Sequence, residues 1–133
     1  MSKTISTAFA IGLGALVLAA PFSALAGDTN VIKGSFVGAS DHITTGGVQI
    51  IKTADGGALV ILDSDFSLDG APDPRVGFGK DGTYDGDTDL GKLEQISGLQ
   101  VYRVPASVNV DDFNEVYIWC LKFGVPLGVA AVS

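Results

Sequence analysis

Cysteine is nearly absent from this chain: its 133 residues include only Cys120. No disulfide can close within one molecule, so nothing covalent staples the fold, and a zinc centre built from several thiolates is excluded. No C-x-x-C-H occurs, which excludes haem attached covalently in the c-type manner. Histidine is as scarce, with His42 alone. Positive charge is short as well: Lys and Arg total 8 against 15 Asp and Glu, for a net charge of −7. Nucleic acids and anionic membrane surfaces are bound through a positive footprint, which this composition does not supply. Ser40, Asp41 and His42 are consecutive. Their side chains point apart on an extended segment, and no nucleophile-elbow glycine follows Ser40 two residues on, so acyl-transfer hydrolysis is disfavoured. No window of residues 27–133 sustains a helical period.

What is present begins at the N-terminus. Lys3 provides a positive start, Ala8 to Ala20 an apolar run, Pro21 a stop, and Ala24-Leu25-Ala26 a small-x-small cleavage site. These are the parts of a secretory signal peptide, residues 1–26. The run falls short of the ~20 apolar residues that span a bilayer. Gly27, not cysteine, follows the cut, which argues against a lipoprotein. The expectation is an exported protein, periplasmic or secreted, with residues 27–133 as one domain and no transmembrane segment after cleavage. Cleavage removes Lys3 alone among the charged side chains and moves the net charge to −8. The acidic residues are spread along the chain, which suits solubility better than a dedicated cation-binding tail.

The mature chain alternates short apolar runs with glycine-rich turns, a strand-and-turn pattern. Strands are expected over 31–37, 48–53, 58–62, 75–78, 99–104, 115–123 and 127–132, with Asp55-Gly56-Gly57 as a hairpin signal between the second and third. Residues 90–96 and 110–114 could each form a turn of helix. Short strands with turns about every ten residues imply an all-β fold, a β-sandwich or jelly roll of about seven to nine strands. On the strand 115–123, Tyr117, Trp119, Leu121 and Phe123 share one side, and Val116, Ile118, Cys120 and Lys122 the other. Both sides are mostly apolar, as in a central strand covered on both faces.

Three groups of residues are candidates for chemistry. Cys120 is a buried small hydrophobe, a reactive thiol or a soft metal ligand. A free exposed thiol outside the cytoplasm tends to be oxidised, so one that persists is buried or committed to chemistry. A non-covalent haem with Cys120 as ligand is chemically open. His42, in the loop Gly38–His42, is either a solvated loop residue or a second ligand. Trp119, Ile118 and Phe66 are expected as neighbours of such a pocket. Asp81, Asp85, Asp87 and Asp89 alternate through a glycine-rich loop, the oxygen-rich pattern that calcium favours. Leu90 and Ile96 occupy the positions where an EF-hand has glycine and glutamate, so this is an ordinary turn or a calcium loop of another kind. Asp63, Asp65, Asp69 and Asp73 form a looser set with the same alternatives.

The block 115–130, EVYIWCLKFGVPLGVA, resembles the end of the DM-thirteen domain, the electron transfer DM family. Gly34-Ser35-Phe36 and His42 through Val48 resemble its opening strands. The stretch Leu62–Phe66 with Gly70-Ala71-Pro72-Asp73-Pro74 resembles its central segment. Leu90–Leu93, Gly98–Tyr102 and Val104-Pro105 resemble its later motifs. The Trp119-Cys120 pair is the most specific element, and the resemblance covers essentially the whole mature chain. It implies a small extracytoplasmic β domain, of a kind often found beside DOMON domains, with a redox role centred on Cys120 as bare thiol or cofactor ligand. The expectation is a stand-alone domain, without such a partner module.

The expectation is therefore an exported electron-transfer domain, with Cys120 as redox group or cofactor ligand and a redox partner outside the cytoplasm. The alternative is a non-enzymatic binding or adhesion module, calcium-stabilised or not, in which Cys120 is structural. Both make it an electron-transfer or binding protein rather than a turnover enzyme.

Overall fold

The computed structural model describes residues 31–133. The expected signal peptide, its cleavage site and residues 27–30 lie outside the described residues.

The fold is all-β. Ten strands run in chain order: β1 (Val31–Gly38), β2 (Thr44–Thr45), β3 (Gly47–Lys52), β4 (Ala58–Leu62), β5 (Ser67–Leu68), β6 (Pro74–Lys80), β7 (Thr83–Asp85), β8 (Gln100–Val104), β9 (Glu115–Cys120) and β10 (Val125–Val132). Eight of them form one antiparallel sheet in the order β7-β6-β9-β10-β1-β3-β4-β8, and β2 pairs with β5 in a small second sheet. The strand count exceeds the sequence reading because β2, β5 and β7 are only two or three residues long, too short to show a period of two.

The sheet curls so that strands from both of its ends share one core. Val76 and Phe78 of β6, Val116, Ile118 and Cys120 of β9, Val48 and Ile50 of β3, Val60 and Leu62 of β4, and Val104 of β8 belong to a single buried cluster. Alternation explains the sorting, since successive side chains on a strand take opposite faces. The segment 89–98 spans the gap between the two sheet edges. Its first part runs along β6, with Leu90 N–H donating to Val76 O at 2.7 Å and Leu93 N–H to Pro74 O at 2.8 Å. Its next part meets β8, where Glu94 N–H donates to the Tyr102 hydroxyl at 3.0 Å. The helical turn anticipated over 90–96 is thus an extended strap, bridged at Arg75 and Lys92. Its backbone groups pair with β6 and, through Ile96 O at 2.7 Å, with Leu68 N–H of β5, and not with one another. The turn anticipated over 110–114 does form, as a 3-10 turn at Val110–Asp112 capped by Asn109.

The Asp55-Gly56-Gly57 hairpin sits between β3 and β4 as its sequence suggests. The Asp55 carboxylate accepts from Gly57 N–H at 3.0 Å and from the Thr53 hydroxyl at 2.5 Å. The most apolar strand is shorter than its composition implies. It stops at Cys120, and Leu121–Gly124 turn back toward β10, with Gly124 at φ 64° and its N–H donating to Cys120 O at 2.8 Å. Leu121 and Phe123 are therefore exposed turn residues and not part of a face. Hydrophobicity continues past Cys120, but the left-handed glycine closes the hairpin there. Beyond the turn, β10 carries a bulge between Pro126 and Gly128. The carbonyl of the extra residue, Leu127, is taken up by Ala39 N–H at 3.0 Å and the Thr44 hydroxyl at 2.8 Å.

Candidate functional site

Cys120 is the last residue of β9, opposite Pro74 on β6 and Val125 on β10. Its side chain is 1% exposed and packs in the core cluster with Ile118. Phe66, another expected neighbour, lies fully inside the same cluster, edge-on to Phe36 at 5.5 Å between ring centroids. Trp119 takes the opposite face of the sheet, as the alternation requires.

His42 lies in the connection from β1 to β2. Its Nδ1 is 2.8 Å from Asp69 Oδ1, and the other oxygen of Asp69 accepts Ile43 N–H at 3.0 Å. The imidazole is partly exposed, with one ring nitrogen committed to Asp69, whereas the Cys120 thiol is in the core. These two contacts hold the Asp69 carboxyl below the usual carboxylate range, the His42 hydrogen bond first.

Haem needs a roomy apolar pocket against its ligand. Small-molecule pockets typically run to about 300–1,000 Å³. Three cavities on the described residues have volumes of about 130, 260 and 230 Å³, and neither Cys120 nor His42 lines these three. Neither residue therefore offers a ligand to a haem seated in one of these three cavities.

Three of the four aspartates of the 81–89 loop turn their carboxylates to different partners. Asp81 accepts from the Asn114 side chain at 2.8 Å. Asp85 caps the 3-10 turn Gly86–Thr88 by accepting from Asp87 N–H at 2.9 Å. Asp89 accepts Gly91 N–H at 2.7 Å and faces Arg75 at 3.5 Å. Asp85 and Asp87 border one cavity with Asp112. Among the described residues, no group of three or more His, Cys, Asp or Glu is gathered to hold a metal ion. Asp63, Asp65 and Asp73 likewise serve local contacts, with Gln49, Gly47 N–H and Arg75 in turn.

The reading of this loop as a turn or cation loop leaves out its most consequential residue. Thr83–Asp85 is the edge strand β7, and it lays Tyr84 across the outer face of β6 toward β9. There Tyr84 stacks on Trp119 with ring centroids 4.3 Å apart and planes 13° from parallel. Tyr117 completes the group, 5.3 Å from Tyr84 and edge-on to Trp119 at 6.3 Å. The rings reach one another because the strand between them has no side chains in the way. A Cβ on Gly77 would come within 2.8 Å of the Tyr84 ring, and one on Gly79 would overlap the Tyr117 ring. Two glycines spaced by one residue inside a strand are the sequence signal for such a close approach.

Carboxylates surround the cluster. The Tyr117 hydroxyl donates to Glu115 Oε1 at 3.2 Å, and Glu115 is anchored in turn by Gly82 N–H at 3.0 and 3.2 Å. Burial pushes the Tyr117 phenol up to about 12, with Glu115 adding to it. Burial likewise pushes Tyr84 up to about 12, aided by Asp89 and Asp85 and opposed by Arg75. Both phenols are neutral through the physiological range.

The model of the family described as Electron transfer DM13 matches residues 35–132, essentially all of the described domain. No curated protein and no solved structure matches the chain.

Proposed function

Since the chain belongs to the Electron transfer DM13 family, we propose that it is an exported electron-transfer domain whose redox group is Cys120. The observation that carries this reading is the position of the only sulfur among the described residues: a thiol enclosed at the end of β9, one residue from an exposed turn. Thiol–disulfide exchange requires direct attack on sulfur, which 1% exposure denies. Electron transfer carries no such requirement, because an electron crosses several ångströms of packed protein without contact between the reacting groups. Burial therefore favours electron exchange over thiol exchange, the partner's oxidant taking one electron as the S–H bond breaks and the proton leaves to solvent at the adjoining turn. The partner is a redox protein or complex outside the cytoplasm. The chain's net charge of −7 is of the wrong sign for nucleic acid. No helix among the described residues is long and apolar enough to cross a membrane.

Voltammetry of the mature chain tests this reading. A wave present in the native protein and lost in Cys120→Ser supports it, and identical traces oppose it. Export is tested by the N-terminal residue of protein recovered outside the cytoplasm, with Gly27 expected.

The burial of Cys120 also favours a second reading, a binding module in which the thiol is only core packing. A melting temperature that rises with calcium and falls back with a chelator, together with a silent Cys120→Ser variant, would select it.

A further inference from the structure

We propose that Trp119, Tyr84 and Tyr117, with Glu115 as proton acceptor, form a proton-coupled relay that gives up single electrons to an oxidised metal complex reaching the outer face of β9. The proposal rests on the electron-transfer reading of the domain but not on Cys120.

Tryptophan and tyrosine are, with cysteine, the protein side chains that give up one electron most readily without a bound cofactor. Here the described domain's sole tryptophan and two of its three tyrosines stand in mutual contact. Trp119 and Tyr84 are partly exposed, so an oxidant at the surface reaches them, whereas Tyr117 is 3% exposed beneath them. The near-parallel stack at 4.3 Å spreads a positive charge over two rings. The backbone of Gly77 and Gly79 holds the rings in place, so little has to move when the charge changes.

The proton has a defined place to go. Proton transfer needs a base within about 2.6–3.2 Å, and Glu115 Oε1 is 3.2 Å from the Tyr117 oxygen. The chemistry runs in two steps. The oxidised metal centre takes one electron from the indole of Trp119 and is itself reduced by one unit. Trp119 then takes one electron from Tyr117; the phenolic O–H bond breaks, and the proton passes to the Glu115 carboxylate. The products are a neutral phenoxyl radical on Tyr117, a carboxylic acid at Glu115 and a restored indole. A one-electron metal reductant reverses the sequence, with the electron returning to the phenoxyl oxygen and the proton from Glu115. Because both phenols resist ionisation, the proton leaves with the electron and not before it. Tyr84 has no hydrogen-bonded carboxylate at its hydroxyl among the described residues, so it shares charge without holding the radical. Tyr102 is an internal control: it is outside the cluster, and its hydroxyl donates to the Gln100 side-chain oxygen, an amide that does not take up a proton.

Flash photolysis with tris(bipyridine)ruthenium(III) generated in the presence of the mature chain tests this, read by electron paramagnetic resonance and transient absorption. The native protein should show a tyrosyl radical. Tyr117→Phe should remove it and leave a tryptophan radical, while Tyr102→Phe leaves the yield unchanged. Glu115→Gln, which can still accept from Gly82 N–H, should slow radical formation at least tenfold and alter the ratio of rates in light and heavy water. Trp119→Phe should slow it similarly. If Trp119→Phe fails to fold, Glu115→Gln alone decides. A Glu115→Gln rate equal to native, or a full tyrosyl yield in Tyr117→Phe, overturns the relay. A tyrosyl radical that forms normally in a protein with no thiol-dependent wave overturns the Cys120 reading and leaves the relay standing. A thiol-dependent wave without the radical does the reverse.

Discussion

The ring of Tyr84 lies across the bare backbone of Gly77 and stacks on Trp119 from two strands away. The contact depends on a hydrogen atom at residue 77 where any other residue has a carbon. Gly77→Ala should therefore destabilise the domain by about 1–3 kcal/mol, the usual cost of overpacking a fitted site. For a domain of this size that lowers Tm by at least roughly 4 °C. Gly86→Ala is the matched control, because no atom lies within 4 Å of a Cβ built there. Thermal melts of the two variants, with Trp119 fluorescence followed in each, check the expectation.

Alkaline pH should strip stability from the same cluster. The folded Tyr84 and Tyr117 are raised from 10.0 to about 12. A raised value means that the folded state keeps its proton after the unfolded chain has lost it. The contribution is complete below pH 10 and is lost as pH climbs through 12. Phenolate absorbance should accordingly lag in the native protein and jump on adding denaturant at pH 11. A native titration centred at 10 would contradict this.

Acid acts through a different pair. Asp69 is held below its ordinary 3.8 by His42 and by Ile43 N–H. A depressed carboxyl stabilises the fold above its unfolded value, and that contribution disappears as pH falls through the lower folded value. Asp69→Asn should flatten this part of the acid limb of a Tm-against-pH curve. It should also free the imidazole, which proton NMR of the single histidine would register as a change in its chemical shifts.

The strap between the sheet edges closes on a small polar network. Tyr102 donates to the Gln100 side-chain oxygen and accepts from Glu94 N–H, while the Gln100 amide donates to Gln95 O at 2.8 Å and Gly98 O at 3.2 Å. Tyr102→Phe leaves Glu94 N–H without its acceptor. Losing the hydroxyl's two hydrogen bonds, of which the one to Gln100 is buried, costs about 1–3 kcal/mol, so the urea midpoint should fall. Hydrogen exchange should quicken at residues 94–98 first, because that strap is what the hydroxyl holds.

Much of this architecture is legible in the sequence, and the parts that are not have physical reasons. The Asp55-Gly56-Gly57 hairpin and the sorting of Tyr117 and Trp119 away from Ile118 and Cys120 follow from local turn chemistry and a period of two. The end of β9 at Cys120 does not, because Leu121 and Phe123 continue the apolar pattern into an exposed turn. The aspartates at 81–89 look like a cation loop because spacing alone cannot show that Asp81, Asp85 and Asp89 turn their carboxylates to separate partners. Tyr84 is the clearest omission: nothing local marks Thr83–Asp85 as a strand, and its contact with Trp119 spans 35 positions of chain. The one advance sign was Gly77-x-Gly79, a bare strip of strand that only makes sense once something is laid on it.

The central claim is that this domain exchanges electrons through Cys120. It is tested most directly by voltammetry of residues 27–133 beside their Cys120→Ser variant, both confirmed folded by their melts. The expected result is a wave in the native protein that vanishes in the variant. A variant that retains the native wave, at the same potential and amplitude, would contradict the claim.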